Sequence, residues 1–521
     1  MRWGTFGFSI ALLSLPSPSA RAQLPASAQA QLQASAQALA ALRIETAAAA
    51  LQPLLPTHAA QPAVAFQRAM LAFYRGDYAQ AVTWAKPLHR DASLPDLWRQ
   101  MQQLWRATRD AVLDFEQYRS RDGRYWLRYA PGVDRVLVPY ALDVLRRADA
   151  MLARTLGHQL PGPIRVEIYP SAAVLAQVSS LSEADIERTG TIALCKWNRL
   201  MLTSPRALLH GYPWRDTLAH ELTHLVLSRA TADKSPVWLQ EGVAKLLERR
   251  WRTQPGALIE AGAWRLLQQA EAKQRLIPFR KLHPSIARLP SQRDAALAFA
   301  QVVTLMDVFV ELGGPSALPQ LVRRVHAGQD AQKAMAAISG LGWSALLARW
   351  RAHIRAHPSG GADASVPERR LLRGGDPLNA ERQAVQAASA QRWLRLGDLL
   401  TARGHAPAAA LEYAKAYRSV PADPTVASRY AATLLDRKQA AQALSVMQRA
   451  RLHRPKHAPL LALTGLSQLA LGQTKAARIS LRQSLERNPF DPSVHCGLAQ
   501  VVGTPAARAR EQRYCHMLQR K

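Results

Sequence analysis

The residues of this chain best placed to do chemistry are His220 and His224, four apart in the run HELTH, with Glu221 between them. On a helix, side chains at i and i+4 lie one above the other. Both imidazoles can therefore grip one metal ion while Glu221, one position round, leans over it. The arrangement suits hydrolysis by a zinc-activated water. A catalytic zinc takes three protein ligands and keeps a fourth position for water, so a third ligand is needed. Glu241 supplies it from the segment SPVWLQEGVAKLLERR, 17 positions after His224. That segment predicts a second helix, capped by Ser235, with Pro236 in its first turn and Trp238, Leu239 and Val243 as apolar anchors. A turn over 230–234 brings the Glu241 carboxylate back to the metal.

The chemistry follows from charge and geometry. Zinc lowers the pKa of its water and polarises a carbonyl, while Glu221 takes the water proton and delivers it to a leaving amine. Asp216, one turn before His220, reads as a helix cap rather than a support for the imidazole. His210 and Tyr212 in the approach loop are candidates to stabilise an oxyanion, though ordinary exposed loop residues are the default.

LAHELTHLVL followed by PVWLQEGVA resembles the gluzincin superfamily, specifically the peptidase MA-like domains of thermolysin-type metallopeptidases. Their signature joins HExxH to a W-x-x-E-G-x-A helix, and Pro236, Trp238, Leu239, Glu241, Gly242 and Ala244 all match it. The resemblance is specific over 217–244 and looser over about 120–357. It implies His220, His224 and Glu241 as zinc ligands, Glu221 as general base, and a peptide lying antiparallel along an edge strand at Thr191 to Cys195. Two positions depart from the pattern. Lys245 stands one turn after Glu241, where an acidic residue is common, and Phe299 of AFAQV stands where a tyrosine is common. If that tyrosine stabilises the transition state, this chain uses another donor or turns over slowly.

The elements that must position these residues are legible around them. YWLRYA near 125–130 and IRVEIY at 164–169 predict strands, separated by a helix from about Val136 to Leu156. GTIALCKW and RLMLTS, near 190–204, predict a strand or hairpin just before the HELTH helix. From about 255 to 357 the chain reads as helical, broken at Gly313, Gly314 and Pro315, and the apolar run Leu297 to Leu312, which carries Asp307 and Glu311, reads as a packed helix. Before the sheet, residues 23–62 are built of Ala, Gln, Ser, Leu and Pro and suit a tether or a loosely packed helix. Residues 63–118 resemble one tetratricopeptide-type helix pair, with Gly76 between helices and Ala81 and Ala85 at their contact.

After a Gly/Pro-rich linker at 358–378 comes an internal repeat. Pro421, Pro455 and Pro489 recur every 34 residues, as do Ala409, Ala443 and Ala477 and the small residues Gly397, Ala431 and Gly465. Trp393, Leu396, Gly397, Gly404, Ala409, Tyr413, Ala416 and Pro421 fit the tetratricopeptide pattern. Three repeats and a degenerate fourth from 492 predict a helical stack with a concave groove for a protein or peptide over 379–521.

Composition sets the remaining bounds. Lys and Arg number 68 against 37 Asp and Glu, a formal net charge of +31. The basic residues are dispersed rather than clustered with aromatics, which argues against nucleic-acid binding. Met1, Arg2 and Trp3, an apolar stretch from Phe6 to Leu15, and Ala20-Arg21-Ala22 match a secretory signal peptide over 1–22 cleaved before Gln23. No later segment reads as transmembrane, so the expected product is exported and periplasmic. Of three cysteines, Cys496 and Cys515 suit one disulfide between C-terminal helices, leaving Cys195 free. A zinc site using the adjacent His495 and His516 is disfavoured, because neighbours on a helix point about 100° apart.

Together these features predict an α+β fold: a thermolysin-like zincin domain over 119–357, with a small mixed sheet, the HExxH helix and a helical C-terminal half, joined to an all-α tetratricopeptide solenoid. The function expected is that of an exported zinc-dependent peptidase whose repeats recruit a protein or peptide. The rival reading is an envelope scaffold whose zinc domain is weakly active or inactive.

Overall fold

The computed structural model describes residues 24–90, 95–358, 377–452 and 454–520. The signal-peptide reading over 1–22 and nearly all of the linker lie outside them. The described chain divides into two compact units. The first takes in the residues up to Pro131, Val138–Thr203 and Asp216 to 358. The second takes in Gly132–Leu137, Ser204–Arg215 and the residues from 377 onward.

The first unit opens with packed helices rather than a tether. Helices α1 (Ala26–Ala40) and α2 (Ile44–Leu51) bury Leu32, Leu39, Ile44, Ala47 and Leu51. Ser35 donates to the Ala47 carbonyl at 2.7 Å and accepts from Gln67 at 3.1 Å. The alanine-rich composition hides this because small residues bury little area each, yet they let helices approach closely. A four-residue turn, α3 (Leu55–His58), leads into α4 (Pro62–Arg75) and α5 (Tyr78–Trp84). Gly76 caps α4 in the left-handed conformation at φ 81°, which a side chain would resist. Helix α6 (Asp96–Ala111) follows, burying Trp98 and Trp105.

The sheet has five strands: β1 (Glu116–Arg119), β2 (Tyr125–Tyr129), β3 (Ile164–Tyr169), β4 (Ala193–Lys196) and β5 (Arg199–Thr203), in the order β1-β2-β3-β5-β4. The inner strands β2, β3 and β5 run parallel, and β1 and β4 pair antiparallel at the margins. Strand β1, polar EQYR at a margin, carries no apolar alternation and is not foreshadowed by the sequence pattern. Parallel pairing needs a crossover, supplied between β2 and β3 by α7 (Leu137–Leu156). Short helices α8 (Ala172–Gln177) and α9 (Glu183–Thr189) precede β4.

Strand alternation and register give the sheet two unlike faces. Leu127, Val166, Leu200 and Cys195 share one. Arg128, Glu167 and, two residues before the partner of Glu167, Arg199 share the other. That polar face is buried under α5: Arg199 Nη1 lies 2.9 Å from Glu167, and Tyr78 bonds to both Glu167 and Arg199. The N-terminal helices thus dock through a buried ionic cluster.

Helix α10 (Trp214–Ala230) carries HELTH, and α11 (Val237–Leu247) carries Glu241. Beyond them are α12 (Ala261–Ala272), α13 (Gln292–Gly313), α14 (Ala317–His326), α15 (Ala331–Ser339) and α16 (Trp343–Ala356). Among the described residues α13 alone is long and apolar enough to cross a membrane; 67% of that stretch is buried, and it packs as a core helix. A Cβ on Gly242 would stand 2.7 Å from Met306 Cγ and 3.0 Å from the Val302 carbonyl oxygen. Glycine there lets α11 press against α13.

The second unit contains α17 (Pro377–Ala384) and four helix pairs: α18 (Ala388–Ala402) with α19 (Ala406–Ser419), α20 (Pro424–Asp436) with α21 (Ala440–Arg451), α22 (Ala458–Ala470) with α23 (Thr474–Leu485), and α24 (Pro492–Val501) with α25 (Pro505–Gln519). Ala409, Ala443 and Ala477 are fully buried. A Cβ on Gly397 would meet the Tyr413 ring at 2.5 Å and one on Gly465 would meet Leu481 at 2.6 Å. The 34-residue period is therefore a period of close helix contacts. Cys496 and Cys515 form a disulfide joining α24 to α25, and Cys195 is free.

Candidate metal centre

Two helices and one turn build the site. The turn after α10 uses two non-glycine residues in the left-handed region, Ala232 at φ 51° and Asp233 at φ 58°, and reverses the chain so that α11 returns alongside. His220 Nε2 then lies 3.1 Å from His224 Nε2 and 3.3 Å from Glu241 Oε2, and His224 Nε2 lies 3.4 Å from the same oxygen. Ligands about 2.0–2.1 Å from a tetrahedral zinc stand about 3.3 Å from one another. The three donor atoms therefore form one face of such a tetrahedron.

The other ring nitrogens fix the tautomers. His220 Nδ1 is 3.2 Å from Glu248 Oε2, and His224 Nδ1 is 3.3 Å from Gln240 Oε1. Both partners accept, so each Nδ1 carries the hydrogen and each Nε2 turns a lone pair inward. Two lone pairs and a carboxylate facing one another call for a cation, and the donor set fits zinc. Lys245 Nζ, 2.6 Å from Glu248 Oε1, holds that outer carboxylate in place.

With no metal bound, the surrounding carboxylates favour a proton on His220, one that a zinc ion would displace. Burial resists ionisation of His220, yet hydrogen bonds to Glu241 and Glu248 hold its pKa up at about 10. Burial also works against the charged form of Glu248, but Lys245 and His220 bring its pKa down to about 2. Glu241 is likewise depressed despite burial, by His224 and His220. Glu221 moves the other way: burial raises its pKa, offset in part by the two histidines. Its Oε2 is buried with no hydrogen-bond partner among the described residues, a situation that calls for water or a ligand.

The structure thus brings His220, Glu221, His224 and Glu241 together. Asp216 pairs with Arg252 at 2.7 Å, an ion pair that a capping role does not anticipate. Phe299 on α13 packs its ring 6.1 Å from that of His220, edge to face. Lys245 acts on Glu248 rather than on a ligand. His210 and Tyr212 fall in the second unit, the His210 ring packed 4.2 Å from that of His457 and the Tyr212 amide donating to the Arg487 carbonyl at 3.2 Å. His495 is buried with Glu511 on one ring nitrogen and the Pro489 carbonyl on the other, so both nitrogens already have protein partners.

Glu248 and Gln240 are contributors that the sequence pattern alone does not single out. A signal for Glu248 exists: it lies seven residues after Glu241, two helical turns along the same face.

Residues 145–356 match the family model of the peptidase MA superfamily. This stretch is similar to peptidase MA superfamily domains, and the helix pairs after it are tetratricopeptide-like. No curated protein sequence matches the chain. Among solved structures, leukotriene A4 hydrolase from Saccharomyces cerevisiae is similar at 12% identity and a TM-score of 0.31, over 77% of this chain and 67% of that one. Yeast Tom70 is similar at 11% identity and a TM-score of 0.22, over 99% and 96%. The MamA RS-1 ArsTM double mutant is similar at 17% identity and a TM-score of 0.22, over 28% and 80%. Overlaps of this size carry no argument about function.

Proposed function

We propose that the chain is an exported zinc-dependent peptidase, with His220, His224 and Glu241 holding the metal and Glu221 as general base. The observation that carries the proposal is the convergence of three donor atoms at 3.1–3.4 Å beside a buried carboxylate. Zinc held there would supply a Lewis acid that brings the pKa of its water towards neutrality. Glu221, its basicity raised by burial, takes the water proton and returns it to the leaving nitrogen.

Strand β4 supports a peptide substrate, because it lies at a margin of the sheet and its outer backbone groups can pair with an extended chain. Export is supported by the basic and apolar N-terminus and by the Cys496–Cys515 disulfide, a bond of oxidising compartments. Recruitment of a protein or peptide by the repeats is supported by their stacked helix pairs.

Phe299 favours the scaffold reading as a second possibility, since the ring beside His220 has no hydroxyl to offer a developing oxyanion. One experiment separates the two. Purified protein is analysed for metal and incubated with a peptide library, with and without a chelator. Zinc together with chelator-sensitive cleavage supports the peptidase; zinc without cleavage favours the scaffold.

A further inference from the structure

The Nδ1 hydrogen of His224 begins a chain of hydrogen bonds that runs away from the metal centre. His224 Nδ1 donates to Gln240 Oε1 at 3.3 Å, Gln240 Nε2 donates to Ser228 Oγ at 3.3 Å, and Ser228 Oγ donates to Asp233 Oδ1 at 2.9 Å. Every member donates outward, and the chain ends on a carboxylate. Hydrogen bonds aligned in one direction polarise one another, so the negative end is felt at the imidazole.

The end group is held firmly. The Asp233 amide donates to the Ser228 carbonyl at 2.7 Å, and its φ of 58° is one that Asp and Asn accept more readily than other side chains. Ser228 thus grips Asp233 by backbone and hydroxyl together. The arrangement is costly on its own account, because burial pushes the Asp233 pKa up to about 6. At neutral pH the fold keeps a charge there that an amide would spare it.

We infer that Asp233 is a positioning residue for the metal centre, acting on His224 through Ser228 and Gln240. The inference rests on the reading of His224 as a zinc ligand. On this view the turn between α10 and α11 does more than reverse the chain. It also orients one ligand and makes it a stronger donor, as outer hydrogen-bond partners of metal-bound histidines do.

The test compares zinc affinity, by competition with a chelating indicator at neutral pH, among the parent and the Asp233→Asn, Ser228→Ala, Ser228→Thr and Ser228→Ala/Asp233→Asn variants. Denaturant unfolding of the zinc-free forms accompanies it. Asp233→Asn should weaken zinc binding roughly three- to tenfold, below the effect typical of a direct partner, while the zinc-free protein unfolds no more easily than the parent. Ser228→Thr should keep the parent affinity, and Asp233→Asn should add nothing once Ser228 is alanine. Parent-like affinity in Asp233→Asn overturns the inference, as does an equal loss with and without the Ser228 hydroxyl. Failure of the parent itself to bind zinc overturns the metal reading beneath it, a separate outcome.

Discussion

Glu248 Oε2 stands 3.2 Å from His220 Nδ1, and the same carboxylate is held at 2.6 Å by Lys245. The lysine one turn after Glu241 therefore does not leave His220 without an acidic partner; it steadies one that comes a turn later. Replacing Glu248 by Gln keeps a shape able to accept from Nδ1 but removes the charge. Zinc affinity should fall about 10–100-fold with the helices intact by circular dichroism. Unchanged affinity would show that the contact is incidental.

The cluster under α5 predicts a dependence on acid. Burial opposes ionisation of Glu167, but Arg199, Arg128 and Arg165 overcome it and hold its pKa below the ordinary value. A depressed folded pKa means that the stabilisation is present above the unfolded carboxylate range and lost as pH falls through the folded value. Glu167→Gln should destabilise the protein at neutral pH by about 3 kcal/mol or more, because buried arginines lose their counter-charge. The variant's stability should also vary less with pH on the acid side. Denaturant titrations at several pH values decide this, and parallel curves for parent and variant would refute it.

Gly242→Ala places a methyl 2.7 Å from Met306 Cγ and 3.0 Å from the Val302 oxygen. Met306 can move, but the backbone of α13 gives less readily. The expected cost is about 1–3 kcal/mol, accompanied by weaker zinc binding because Glu241 rides on the displaced helix. Thermal melts with and without zinc measure both. An alanine variant with parent stability would mean that α11 and α13 tolerate a wider spacing.

The Cys496–Cys515 bond closes a loop with a sequence separation of 19. Replacing both cysteines with serine should lower the stability of the repeat unit by about 2–4 kcal/mol, while zinc affinity stays at the parent value. Limited proteolysis of the C-terminal helices, followed by mass spectrometry, would register the loss; equal resistance in both proteins would argue against it.

The ligands and the base are legible because helical spacing alone places His220 and His224 on one face, and because W-x-x-E-G-x-A ties Glu241 to a second helix. The repeats are legible because Gly397, Ala409 and their 34-residue echoes are small for a steric reason. What escapes depends on tertiary approach. Glu248 reads as one more charge on a helix until α11 lies beside α10. Strand β1 is polar on both faces and signals nothing before it pairs with β2. Residues 26–51 look like filler because alanine carries little signal, yet α1 and α2 pack their apolar sides inside the first unit. Glu167, Arg165 and Arg199 look like the solvated side of alternating strands, and only the docking of Tyr78 shows that they are interior.

The proposed mechanism depends most directly on Glu221. Parent and Glu221→Gln proteins, each loaded with zinc and shown by metal analysis to hold the same amount, are compared in cleavage of the same peptide library. Chelator-sensitive cleavage is predicted for the parent and a loss of at least about 100-fold for the variant, with zinc content unchanged. Equal cleavage by both proteins would contradict it.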